Sequence, residues 1–226
     1  MWDCFKSTGP EIREDRQITS FSEIRLENKI DLVITQDTIE RLAVVCGENL
    51  INKIETTVSS GLLTIQNHNT FNFVRSYDRH ITVYVSVKHL KALDFRSAGN
   101  VSTSNMLSDS ALTIESFDGS GLIDLSLQEK VIHTNLHTGP ATIRLKGSSP
   151  LLYIYSGGNG EVDTKNIPCP QIYLTNRGTG NFYISTDSSP TSNIQAELTS
   201  TGDVYCSGRP SALAKSETGS GKFILE

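Results

Sequence analysis

The sequence has little methionine or tryptophan, two and one in 226 residues, and aromatic residues make up only 7% of it. No apolar run approaches the roughly 18 residues that a membrane-spanning helix needs. The opening Met-Trp-Asp-Cys has neither the basic stretch nor the apolar core of a secretory leader, so an exported precursor would carry its leader upstream of Met1. Charge of one sign is never concentrated. The 25 acidic and 20 basic residues are spread without long blocks, for a net charge of -5. Without a basic stripe to neutralise phosphates, nucleic acid is excluded as a partner. The four cysteines, Cys4, Cys46, Cys169 and Cys206, form no C-x-x-C pair and have no histidines at ligand spacing, which excludes a zinc site of the usual kind. An even count leaves room for up to two disulfides in an oxidising compartment, while Cys206, inside an apolar strand pattern, reads equally as a buried thiol. There is no G-x-S-x-G elbow and no phosphate-cradling glycine loop before a helix, and no cofactor is implied.

What recurs instead is serine, threonine, asparagine and glycine, between short alternating apolar segments that suit strands and turns. A small residue followed by glycine and then an apolar strand occurs seven times, with the glycines at Gly99, Gly121, Gly139, Gly160, Gly180, Gly202 and Gly221. Their spacings are 22, 18, 21, 20, 22 and 19 residues. Repetition at this period predicts an all-β fold, a right-handed parallel β-helix (solenoid) of about 20-residue coils. Glycine is expected at each corner to supply a positive φ. Two places after it, Val101, Ile123, Ala141, Val162, Phe182, Val204 and Phe223 are expected to stack as core. A β-sandwich or propeller would also use short strands, but identical residues at identical phase favour the solenoid. The asparagine ladder and leucine density of leucine-rich repeats are missing.

Residues 91–226 are thus read as the repeat solenoid. Residues 1–90, with longer alternating strands and a hairpin-like break at Gly61, are read as the β segment that begins and caps it, since a first coil exposes apolar surface and open strand edges. The stretch from Asn67 to His80 reads as a protruding loop.

An outward column is expected three places after each glycine: Ser102, Asp124, Thr142, Asp163, Tyr183, Tyr205 and Ile224. Tyr153 and Tyr173 alternate with apolar neighbours and are also expected to face out. The candidate binding residues are therefore Tyr153, Tyr173, Tyr183, Tyr205, Asp124 and Asp163. Flat exposed tyrosines suit sugar rings or a protein partner, because they offer large area and a polar tip at little entropic cost. They would equally stabilise the sheet by cross-strand stacking or pack under a neighbouring subunit, so a homo-oligomer stays open. Asp124 and Asp163, with Arg144 or Lys165 as the basic group, invite comparison with a polysaccharide lyase. Two coils separate the carboxylates by roughly 9–10 Å, too far to share one calcium ion unaided. His133 and His137, four apart on a strand, are about 13 Å apart and cannot chelate.

The segments DCFKSTG, IDLVITQ, GENL, VRSY before ITVYVS, LHTGPATIRLKG and GSGKF, in this order and spacing, resemble the head GIN domain family of "putative auto-transporter adhesins" over nearly the whole chain. The resemblance implies a β-helical fold, an exported envelope protein in the periplasm or at the cell surface, often a lipoprotein, and a noncatalytic adhesion role toward a glycan or protein. It supplies no catalytic or ligand residue. Met-Trp-Asp before Cys4 is no lipobox, so an anchoring cysteine would lie upstream and Cys4 is left as a disulfide candidate.

Overall fold

The computed structural model describes residues 8–69, 80–187 and 192–226, which exclude Cys4 and most of the 67–80 stretch. In chain order come β1 (Glu11–Arg16), β2 (Glu23–Asn28), β3 (Asp31–Gln36), β4 (Arg41–Gly47), the single helical turn α1 (Glu48–Ile51), β5 (Ile54–Ser59), β6 (Leu62–Asn67) and β7 (Thr82–Val87). The remainder is β8 (Ala92–Ser97), β9 (Val101–Thr103), β10 (Leu107–Ser116), β11 (Leu122–Leu136), β12 (Thr142–Ser148), β13 (Leu151–Ser156), β14 (Val162–Asn166), β15 (Gln171–Asn176), β16 (Phe182–Ser185), β17 (Asn193–Leu198), β18 (Val204–Ser207), β19 (Ala212–Glu217) and β20 (Phe223–Leu225).

Two parallel ladders make a β-solenoid. On face A, β2, β8, the second halves of β10 and β11, β13, β15, β17 and β19 pair in succession. On face B the order is β3, β9, the first half of β11, β12, β14, β16, β18 and β20. Each strand alternates in and out. In β13, Leu152, Ile154 and Ser156 are buried while Leu151, Tyr153 and Tyr155 lie outside. The inward rows of both ladders join in one core in which Phe95, Phe182, Ile123, Leu152 and their neighbours have no solvent exposure.

The register on face B runs Val101, Ile123, Ile143, Val162, Phe182, Val204, Phe223. Its steps are 22, 20, 19, 20, 22 and 19, six turns at the predicted period. One place differs from expectation. Ile143, not Ala141, is the partner of Ile123, so the outward residue in line with Asp124 is Arg144 rather than Thr142. The cause is a second glycine row. A Cβ on Gly121 would lie 1.7 Å from the Gly99 carbonyl oxygen, and one on Gly160 would lie 1.9 Å from that of Ala141, which places Ala141 in the row of repeat glycines. A Cβ on Gly139 would instead meet the Gly119 carbonyl oxygen at 2.5 Å, so Gly139 belongs to the row before the corner.

The reason for glycine also differs. Of the seven repeat glycines only Gly139 has a positive φ, at 85°. The others are required because the backbone of the preceding coil occupies the space of a side chain; at Gly180 a Cβ would sit 1.7 Å from the Gly160 oxygen. Close backbone approach, not left-handed conformation, selects the residue.

Toward the N-terminus the spatial order departs from chain order. β2 and β3 pair with β8 and β9, 69 residues on. The intervening chain returns to the outer side of β2 and β3, where β6 and β7 pair with them in parallel. Antiparallel strands then cover the stack, β5 on β6 and β4 on β7, with β1 outside β4. The β5–β6 hairpin turns at Ser60 and Gly61, both at positive φ (52° and 83°), the conformation of a two-residue type I′ loop. At the far end, Lys215 and Glu217 occupy the inward positions that Ala196 and Leu198 hold one coil earlier. Inward charge on the last paired strand blunts a sheet end against further pairing.

Cys46, Cys169 and Cys206 are separate buried thiols. Burial pushes each up to about 11. At pH 8 they are protonated and poorly nucleophilic. A thiol reagent should therefore leave these three unlabelled in the native protein over minutes and label all three after unfolding without reductant. A pair protected in unfolded, unreduced protein would mean a disulfide.

Candidate binding surfaces

A step of about 20 residues returns every outward side chain to the same place on its face, so outward residues form ladders. The six candidate residues divide between two of them. On face A, Tyr153 and Tyr173 are in register, their ring centroids 5.0 Å apart and 11° from parallel. His133 stands one coil earlier and stacks on Tyr153 at 4.6 Å. His133, Tyr153 and Tyr173 follow each other at intervals of 20 residues, so the same period that located the tyrosines also identifies the histidine as a ladder member. Beyond Tyr173 the column continues with Gln195 and Ala214.

A second aromatic row lies alongside. Phe117 and His137 stack at 4.3 Å, Tyr155 leans on His137 at 5.7 Å, and the Arg96 guanidinium lies 4.9 Å over Phe117. Glu115 organises this row, accepting from Asn135 Nδ2 at 2.8 Å and hydrogen-bonding His137 Nε2. Asp94 accepts from Arg25 Nε at 2.7 Å and Arg96 Nε at 2.9 Å. His133 and His137 thus belong to separate columns, with that of Glu115, Asn135 and Tyr155 between them, and each is engaged with aromatic partners. Sequence reasoning passed over Phe117, which lies just past the end of β10, and Tyr155, which is the next outward residue after Tyr153 in the regular alternation of β13.

Face B carries the other four. Tyr183 and Tyr205 stack at 5.4 Å, 12° from parallel, with the Lys165 ammonium 5.3 Å from the Tyr183 ring centre. The Tyr205 hydroxyl donates to Asp203 at 3.3 Å; partial burial, then the Asp203 charge and this bond, raise its pKa. In the same column Arg144 stands in register between Asp124 and Asp163. Lys146 Nζ lies 3.4 Å from Asp124, and Asp163 accepts from the Lys165 backbone N–H at 3.1 Å. The two carboxylates therefore face separate local partners with a guanidinium between them. Among the described residues no three His, Cys, Asp or Glu side chains gather at metal-ligating distance. Among the described residues no helix is long and apolar enough to cross a membrane.

A shallow bowl opens at the end of the face A ladder, across β15, β17 and β19. It has a volume of about 390 Å³, with Tyr173 and Thr175 on one side, Gln195 and Glu197 in the middle and Ala214 and Ser216 on the other.

A family model described as "Putative auto-transporter adhesin, head GIN domain" matches residues 20–210. No curated protein matches the chain. Among solved structures, a protein from Bacteroides fragilis described as a "putative adhesin" superposes with a TM-score of 0.84 at 19% identity, over 96% of this chain and 97% of that one. One from Parabacteroides merdae, given the same description, has a TM-score of 0.72 at 15% identity, covering 96% and 98%. A Parabacteroides distasonis structure described as a "putative lipid binding protein" has a TM-score of 0.67 at 15% identity, with the same coverage. At these identities the likeness is one of fold.

Proposed function

Because the chain belongs to the family described as "putative auto-transporter adhesin, head GIN domain", we propose that it is a noncatalytic, extracytoplasmic binding module that holds a glycan or protein partner on face A. The observation that carries this reading is the outward stack of His133, Tyr153 and Tyr173 beside the Phe117, His137 and Tyr155 row. Stacking pre-organises the rings, so a partner gains aromatic contact area without ordering loose side chains. A straight solenoid face offers many such shallow contacts in sequence.

Separation of Asp124 from Asp163 by Arg144 supports a noncatalytic role, since acid–base hydrolysis needs two carboxyl groups facing one bond. The inward Lys215 and Glu217 weigh against end-to-end stacking through β19. The reading is tested by applying the purified protein to arrays of glycans and of cell-surface proteins, beside two variants. Tyr153→Ala/Tyr173→Ala should weaken binding at least roughly tenfold, an aromatic contact of about 1.4 kcal/mol. Tyr183→Ala/Tyr205→Ala should bind like the parent. Loss confined to the face B variant, or no binding by the parent on either array, would overturn the proposal.

A further inference from the structure

In a ladder of stacked rings most ring faces are already used. Tyr153 is covered on both sides, by His133 at 4.6 Å and by Tyr173 at 5.0 Å. Tyr173 is covered on one side only, because the next members of its column are Gln195 and then Ala214, neither of which carries a ring. The loss of bulk along the column is what opens the bowl of about 390 Å³ against Tyr173. That volume lies in the range of small-ligand sites.

The lining is amphipathic in a specific way. One wall is an aromatic face, whose negative π cloud attracts weakly positive C–H groups. Around it stand the amide of Gln195, the hydroxyls of Thr175 and Ser216, and the carboxylate of Glu197. Among the described residues, the side chains of Gln195, Thr175 and Ser216 make no hydrogen bond, so their donors and acceptors are available to a ligand. Glu197 has only a loose ion pair with Arg177, at 3.7 Å and about half-exposed on both sides. Charge selects further. Lys215, on the inward row of β19 at the margin of the bowl, is tied to Glu217 at 2.8 Å, so the charge facing the space is that of Glu197, which disfavours an anionic ligand.

We propose that this bowl is a subsite for a neutral pyranose sugar, with the sugar's C–H face stacked on the open face of Tyr173. The ring hydroxyls are shared among Gln195, Glu197, Thr175 and Ser216. The inference rests on the face A binding reading and narrows its partner to a neutral glycan held at one end of the ladder. Tyr173, not Tyr153, is the ring that stacks on the ligand.

The test uses an array of neutral and anionic oligosaccharides with the parent protein, Tyr173→Ala, Tyr153→Ala and Gln195→Ala, each checked for an unchanged circular dichroism spectrum. The expected pattern is binding of the parent to neutral glycans, a loss of roughly tenfold or more in Tyr173→Ala, and smaller losses of roughly threefold in Gln195→Ala, which removes one polar contact, and in Tyr153→Ala, which removes only the ring that holds Tyr173 in place. Gln195 is exposed and outside the core, so its variant reports on the site even if removing a ladder ring perturbs the sheet. Equal losses in the two tyrosine variants with none in Gln195→Ala would overturn the subsite while leaving face A binding intact. Preference for anionic glycans, or binding to proteins only, would overturn the neutral-sugar assignment. Silence of the parent on every array would remove the face A reading as well.

Discussion

Replacing Phe182 with alanine should destabilise the protein by about 3–5 kcal/mol in urea or guanidinium unfolding, the range for truncating a buried aromatic side chain. Phe182 has no solvent exposure and stands in the inward row of face B between Val162 and Val204. Its neighbours in that row are valines, which cannot extend into the space its ring leaves, and both flanking coils are pinned by backbone pairing. The cavity would therefore persist, and the cost should lie in the upper part of the range. Asp163→Ala is the matched control. Asp163 is half-buried on the outward row, accepting one backbone N–H, and its loss should stay within about 1 kcal/mol. Equal, small losses at the two positions would mean that the inward and outward rows of face B are misassigned.

Much of this architecture is legible in the sequence because a solenoid is a one-dimensional object. Each coil must bury its inward row against the next, so a fixed period in apolar residues and in close-approach glycines is imposed by packing itself. The period locates Val101, Ile123, Val162, Phe182, Val204 and Phe223 in one row. It slips at Gly139 for a physical reason. Two glycine rows flank the corner, and the coil at 138–143 has its glycine in the first row and alanine in the second, so counting from glycine moves that strand by two residues. A shift of two keeps inward residues inward, so Ala141 is buried as expected, and what changes is the residue in line with Ile123, now Ile143, and the outward neighbour of Asp124, Arg144 in place of Thr142. The division of the tyrosines between faces was harder to see, because the columns of face A and face B share a period and differ only in phase. The folding back of β6 and β7 over β2 and β3 leaves no periodic trace, since the pairing spans 39 and 51 residues and is specified by edge covering and not by repetition. Ring faces left open or covered depend on which residue follows in the column, and Gln195 after Tyr173 becomes meaningful only once the register is known.

Glu129 should make the protein's stability fall as pH rises across the neutral range, and Glu129→Gln should remove that fall. The side chain is 3% exposed, on β11 where the strand passes between the two faces, and its Oε2 has no hydrogen-bond partner among the described residues. Burial, followed by the charge of Asp109, pushes its carboxyl up to about 7 from an ordinary 4.5, against the opposing effect of a hydrogen bond from the Asp109 backbone N–H. Asp109 is in register with it and is itself bound by His89 Nδ1 at 2.9 Å. Below pH 4.5 the group is protonated whether the chain is folded or unfolded, and it costs nothing. Between 4.5 and 7 the folded protein holds a proton that the unfolded chain has released, so stability decreases with rising pH, and above 7 the cost levels off at about 3 kcal/mol. Glutamine reproduces the neutral acid without titrating. Denaturant unfolding of the two proteins should therefore agree closely at pH 4, with the variant about 3 kcal/mol more stable at pH 8. Reading the difference between variant and parent cancels every other titrating group in the chain. A difference that is the same at both pH values would show that Glu129 enters the fold already ionised, with its charge compensated from the Asp109 and His89 side.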